Sequence, residues 1–216
     1  MQSTLKVSYT YRIGGLMNFE FGKYYHLYNR SNNEEIVFRA DENYVYFLKK
    51  YRSYLQHFVN TIAYCLMPTH FHFVVRVTTT DESALQKSIG LLLSSYTKAI
   101  NKRYHRHGGL FQPHTKAKEI LDKRYLLTVI SYIHQNPIRA KKAVKLEGWP
   151  YSSYCDIVGM RSGTLPDKDF YRKYFKSEVE FKKYSEKIVA GIKIQDTLKV
   201  PYILILLSFF SGYISP

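Results

Sequence analysis

Apolar positions along the chain fall into two rhythms, one of short runs and one of helical spacing. Lys23 to Asn29, KYYHLYN, is tyrosine-rich, is bounded by the polar SNNEE, and predicts a first strand. From Asp41-Glu-Asn, the residues Tyr44, Phe47, Leu48, Tyr51, Leu55 and Phe58 recur at helical spacing with Lys and Arg between them, which predicts a helix. Phe58 to Leu66 and His70 to Val77 predict two strands joined by a Met-Pro-Thr turn. A second helix is expected from about Asp81 to Tyr104, with Leu85, Ile89, Leu92, Leu93, Tyr96 and Ile100 buried and Gly108-Gly109 as its stop. After a loop, AKEI predicts a short strand, and a third helix begins near Asp122. The Asn136-Pro137 step is expected to end it, because proline disfavours a helical residue before it. The order strand, helix, strand, strand, helix, strand, helix predicts an α+β domain. Its expected form is a ferredoxin-like split βαβ antiparallel sheet with helices on one face. GWPYSSY then reads as a loop, and KDFYRKYFKSEVEFKKYSEKI as a basic, aromatic-dotted helical extension at the C-terminal side.

At 216 residues the chain accommodates one well-buried domain with extensions. Residues 1–16 read as a disordered extension, residues 17–155 as the domain and residues 156–216 as a C-terminal extension. The apolar stretch from Val200 to Pro216 is short for a membrane span and is interrupted by Pro201 and Gly212, so a packed or poorly ordered tail is expected. The first sixteen residues lack the apolar core of a signal peptide. Cys65 and Cys155 are the only cysteines, with no metal-ligand spacing, which fits a reducing, cytoplasmic setting.

Charge changes the picture more than composition does. The net charge is +15, which points to a polyanionic partner. Residues 98–145 carry twelve Lys and Arg against Glu119 and Asp122, so +12 − 2 = +10 of that charge lies in this segment. Tyr104, Phe111 and Tyr125 interleave with it, and cations beside aromatic platforms suit single-stranded nucleic acid. Lys98, Lys102, Arg103, Lys116, Lys118 and Arg139 are the candidate DNA contacts.

The stretch AYCLMPTHFHFVVRV holds the candidate chemistry. On a strand, His70 and His72 project to one face with Phe71 turned to the other, and two imidazoles so fixed make half of a metal site. In the third helix, Tyr132 and Asn136 are i, i+4 neighbours. Spacing alone leaves Tyr132 open as one of 21 tyrosines and Asn136 as a helix-terminal residue. Tyr24, Tyr25 and Tyr28 read as sheet packing and Tyr96 as core; His26 lies on the first strand, where it could approach the site, and reads as a structural histidine.

CLMPTHFHFVVRV, GGLFQ, SYIHQNP with the following IRA, and WPYSSY, in this order, resemble the IS200-like single-tyrosine (Y1) HUH transposases, and more closely the REP-associated tyrosine transposases. The resemblance covers about residues 21–154. It implies a divalent ion, Mg²⁺ or Mn²⁺, held by His70, His72 and Asn136, with Tyr132 as nucleophile. It also implies a covalent 5′-phosphotyrosine with a free 3′-OH, no need for ATP, and single-stranded DNA substrates marked by small hairpins. The family includes dimers as well as monomers. Two other readings keep the fold: a catalytically silent single-stranded nucleic-acid binder, and a replication-initiator or relaxase-type nickase.

Overall fold

The structure, a computed structural model, describes residues 18–186. The expected N-terminal extension and the apolar tail lie outside these residues. Four strands and two long crossover helices follow in the expected order: β1 (Tyr24–Arg30), α1 (Asp41–Leu55), β2 (Val59–Met67), β3 (His70–Val77), α2 (Glu82–Tyr104) and β4 (Lys116–Ile120). A third helix, α3 (Lys123–Arg139), comes next, and then the short α4 (Tyr154–Ile157) and α5 (Lys168–Arg172). Residues 178–186 are also helical. The sheet order is β2-β3-β1-β4 and every pairing is antiparallel. This is the split βαβ arrangement, an open α+β sheet.

The sheet carries a core on each face. Toward α1 and α2 it presents Tyr25, Leu27, Phe71, Phe73 and Val75, which meet Phe47, Tyr51, Leu85, Ile89 and Tyr96. Phe73 stacks on Tyr51 with ring centroids 4.0 Å apart and nearly parallel planes. Burying one such aromatic side chain contributes about 2–3 kcal/mol, so this pair anchors α1 to the central strand.

Helices on one face describe α1 and α2; α3 lies on the opposite face. Its stripe of Leu126, Val129, Ile130 and Ile133 packs on Ile62, Ala63, Cys65, Met67, Val74 and Ile120. The reason is written into β2, whose IAYCLM is apolar without alternation and is buried on both sides. A strand covered on one face alone would alternate. Phe170, Tyr171 and Phe181 join the α3-side core, so residues beyond 155 continue this layer. The 149–153 segment seals the outer edge of β2: Tyr151 O accepts from Leu66 N, Ser153 N donates to Tyr64 O, and Trp149 Nε1 donates to Leu66 O at 2.9 Å.

The second helix ends at Tyr104 as expected, but its stop is His105, in the left-handed region at φ 49°, and Gly108 turns the chain only afterwards, at φ 82°. The third helix, expected to end at the Asn136-Pro137 step, runs through Pro137 to Arg139. Proline at 137 cannot donate to the carbonyl of Ile133, and the Asn136 side chain supplies a donor instead, Nδ2 to Ile133 O at 3.4 Å.

Candidate functional site

Alternation along β3 decides what this site contains. Phe71, Phe73 and Val75 face α1 and α2, so His70 and His72 must face the other side, beside α3. Antiparallel register with β1 places Arg30 opposite His70 and Tyr28 opposite His72. On the outer side of β1, Lys116 lies opposite Tyr28 and Lys118 opposite His26. One surface therefore collects His70, His72, His26, Tyr28, Arg30, Lys116 and Lys118.

The rings form a contiguous cluster. His70 and His72 have centroids 5.1 Å apart at an interplanar angle of 79°. His26 Nε2 lies 2.9 Å from His72 Nδ1, and the His26 ring stacks on Tyr28 at 4.7 Å. The Nδ1 of His70 lies 3.0 Å from Thr69 Oγ1. Each member of the strand pair thus has Nδ1 engaged, which leaves its Nε2 as the nitrogen open to a metal.

Helix α3 brings Tyr132 to this surface. Asp122 caps the helix by accepting from Tyr125 N at 2.8 Å, and the apolar stripe fixes its rotation, so the half-buried Tyr132 meets the histidines. Its ring centroid is 6.3 Å from that of His72, edge-on. The Arg139 guanidinium carbon sits 5.6 Å from the centre of the Tyr132 ring. Asn136 is one turn further along α3 and buried, and with its Nδ2 turned to Ile133 its Oδ1 is the atom left for ligation.

Burial, more than charge, sets the protonation of the imidazoles. It pushes His26 down to about 4, helped by Lys118, and holds His72 well below the usual histidine range, helped by His26 and His70. His70 is lowered by burial and then by Arg30. All three are neutral at pH 7, the form in which imidazole binds a metal ion. Among the described residues, no group of three or more His, Cys, Asp or Glu side chains is arranged to hold a metal. Any third protein ligand to a metal at the His70–His72 pair would have to be an amide, hydroxyl or carbonyl oxygen. Two imidazole nitrogens and one amide oxygen form a chemically coherent donor set for a borderline divalent ion with open positions.

The structure separates the candidate DNA contacts. Lys116, Lys118 and Arg139 share the histidine side, and Lys118 Nζ sits 5.8 Å from the Tyr125 ring centre on α3. Lys98, Lys102 and Arg103 ride on α2, which packs against the other face of the sheet, and Arg103 pairs with Glu42 of α1. Three residues beyond the candidate set share this surface: Arg30; Tyr28, expected in sheet packing; and His26, expected as a structural histidine on a strand that approaches the site. The signal was present: Tyr24, His26, Tyr28 and Arg30 alternate along β1, and the split βαβ order makes β1 a neighbour of β3.

No protein-family model matches the chain. No curated protein matches it either. Among solved structures, that of a REP-associated tyrosine transposase bound to a REP hairpin is similar, with a TM-score of 0.54 and 16% sequence identity. The match covers 72% of this chain and 94% of that one. At that identity the similarity is one of fold, a four-stranded antiparallel sheet with helices in the same α+β arrangement. Among the described residues no helix is long and apolar enough to cross a membrane.

Proposed function

We propose that this protein is a metal-dependent DNA transposase that cleaves and rejoins single-stranded DNA through a covalent 5′-phosphotyrosine at Tyr132. The observation that carries the reading is the edge-on placement of Tyr132, from α3, against His72 of the strand pair, with Arg139 beside the phenol ring. A tyrosine ring 6.3 Å from the ring of His72 supports a nucleophile beside the metal-binding pair, where a phosphodiester oriented by the ion would lie. The fold neighbour was captured on a REP hairpin, which supports a hairpin-bearing single strand as the substrate here.

His70, His72 and Asn136 would hold Mg²⁺ or Mn²⁺, with Mn²⁺ the better match to nitrogen donors. When bound, such an ion withdraws charge from the non-bridging oxygens of the scissile phosphate and orients it. Lys116, Lys118 and Arg30 line the same surface and hold the flanking phosphates. Tyr132 Oη attacks phosphorus, the P–O3′ bond breaks, and the 3′ oxygen leaves and takes up a proton while the phenol proton passes to water. The product is a tyrosyl 5′-phosphodiester and a free 3′-OH. Its bond energy is kept, so a 3′-OH can attack in reverse and rejoin the strand without ATP.

The test is a denaturing-gel assay for a protein–DNA adduct, using 5′- and 3′-labelled single-stranded hairpin oligonucleotides with Mn²⁺ or Mg²⁺. The expected result is an EDTA-sensitive adduct that retains only the 3′ label and disappears in Tyr132→Phe. Binding of the hairpins with no adduct under either metal would instead support a silent single-stranded DNA binder.

A further inference from the structure

We propose that His26 is a positioning residue that fixes the tautomer and orientation of His72, so that His72 Nε2 is the nitrogen presented to the metal. The inference rests on the reading of His72 as a ligand and deepens it.

A neutral imidazole carries one proton, and its two nitrogens are then unlike: one donates and the other holds a lone pair. His26 Nε2 and His72 Nδ1 are 2.9 Å apart, so one proton lies between them. If His72 owns that proton, its Nδ1 donates, its Nε2 is a lone pair, and it can ligate. If His26 owns it, the His72 proton sits on Nε2 and the ligand position is blocked. A metal-ligating histidine generally gives its second N–H to a carboxylate or carbonyl, which secures the productive tautomer. In this protein an imidazole takes that place.

His26 is built to stay put. It lies on β1, which is hydrogen-bonded on both sides, to β3 and to β4. Its ring is stacked on Tyr28 with planes 29° apart, and its centroid is 5.1 Å from that of His72. His70 lacks an equivalent device. Its neighbour is the Thr69 hydroxyl, a rotor that follows whichever proton His70 carries. The two ligand histidines are therefore unequally organised: His72 shares one proton with a second imidazole held in the sheet, so its tautomer is tied to that of His26.

The full chain is compared with His26→Phe, which keeps a flat ring against Tyr28 but removes the acceptor, and with His26→Gln, which keeps an acceptor oxygen. Long-range ¹H–¹⁵N NMR of the metal-free protein reads the His72 tautomer, and Mn²⁺ titration followed by electron paramagnetic resonance reads affinity. In the wild type His72 is expected in the Nδ1–H form. In His26→Phe it shifts toward the Nε2–H form and Mn²⁺ affinity falls by about 10- to 100-fold, with His26→Gln recovering most of the loss. If His26→Phe leaves both the tautomer and Mn²⁺ affinity unchanged while His72→Ala abolishes binding, the metal reading stands and this role for His26 is overturned. If His72→Ala binds Mn²⁺ as tightly as the wild type, the ligand reading itself fails and takes this role with it.

Discussion

The division of basic residues between the two faces of the sheet has a measurable consequence for DNA binding. Lys116 and Lys118 are exposed on β4, opposite Tyr28 and His26 and on the same side as Tyr132. Lys98 and Lys102 are equally exposed, but on α2 across the sheet. Both pairs contribute +2 to the same run of sequence, so net charge does not distinguish them. For a single strand, each neutralised phosphate adds about 0.7 to the steepness of log K against log salt. At ~0.1 M salt that is a factor of about five per contact, so losing two contacts weakens binding some 25-fold, or by ~1.9 kcal/mol. Lys116→Ala/Lys118→Ala should show that loss and a salt slope shallower by about 1.4, measured by fluorescence anisotropy on a labelled hairpin oligonucleotide between 50 and 250 mM salt. Lys98→Ala/Lys102→Ala should remain within about twofold of the wild type, because only diffuse field is removed. Equal losses in the two double variants would refute the assignment of the DNA to the histidine face.

Other consequences concern the frame that holds the site. Asp156 is fully buried; its carboxylate accepts from Arg161 Nη2 at 2.8 Å and from the Tyr64 hydroxyl at 3.1 Å. Asp156→Ala should cost about 2–3 kcal/mol in urea unfolding, less than a fully enclosed pair because the Arg161 side chain is 38% exposed. A cycle with Arg161→Ala should return a coupling above ~1 kcal/mol, and additivity within ~0.5 kcal/mol would contradict the ion-pair account. A Cβ on Gly163 would lie 2.2 Å from Asp156 Oδ1, so Gly163→Ala should destabilise the wild type by about 1–3 kcal/mol but the Asp156→Ala background far less. Burial pushes the Cys65 and Cys155 thiols up from the usual cysteine range. Both should resist a thiol reagent at pH 8 in the native protein and react with it in urea, and rapid native labelling of Cys65 would contradict its enclosure.

The topology was legible because each element has a strong local signal. The HFHFVVRV alternation gave β3 its residues and its facing, and Asp122 marked the start of α3 by its capping chemistry. Two features were harder to see for physical reasons. Proline usually ends a helix, but here the amide of Asn136 stands in for the missing N–H, and such a compensation appears only once side chains are placed. The basic run from 98 to 145 reads as one patch on paper, yet it passes from α2 around to β4 and α3 and so crosses from one sheet face to the other. The contact of His26 with His72 was hidden for a related reason: the two are 46 positions apart, and only strand pairing brings the rings together.

The central claim is that Tyr132 is the residue that becomes joined to DNA. Cleavage after Arg124 and Arg139 releases one peptide, YLLTVISYIHQNPIR, that holds both Tyr132 and the exposed Tyr125 beside Lys118. Mass spectrometry of a nuclease-trimmed adduct, with fragmentation of this peptide, places the nucleotide on one or the other. The account predicts a 5′-nucleotide on Tyr132 and an unmodified Tyr125. A nucleotide on Tyr125, or on any other peptide, would contradict it.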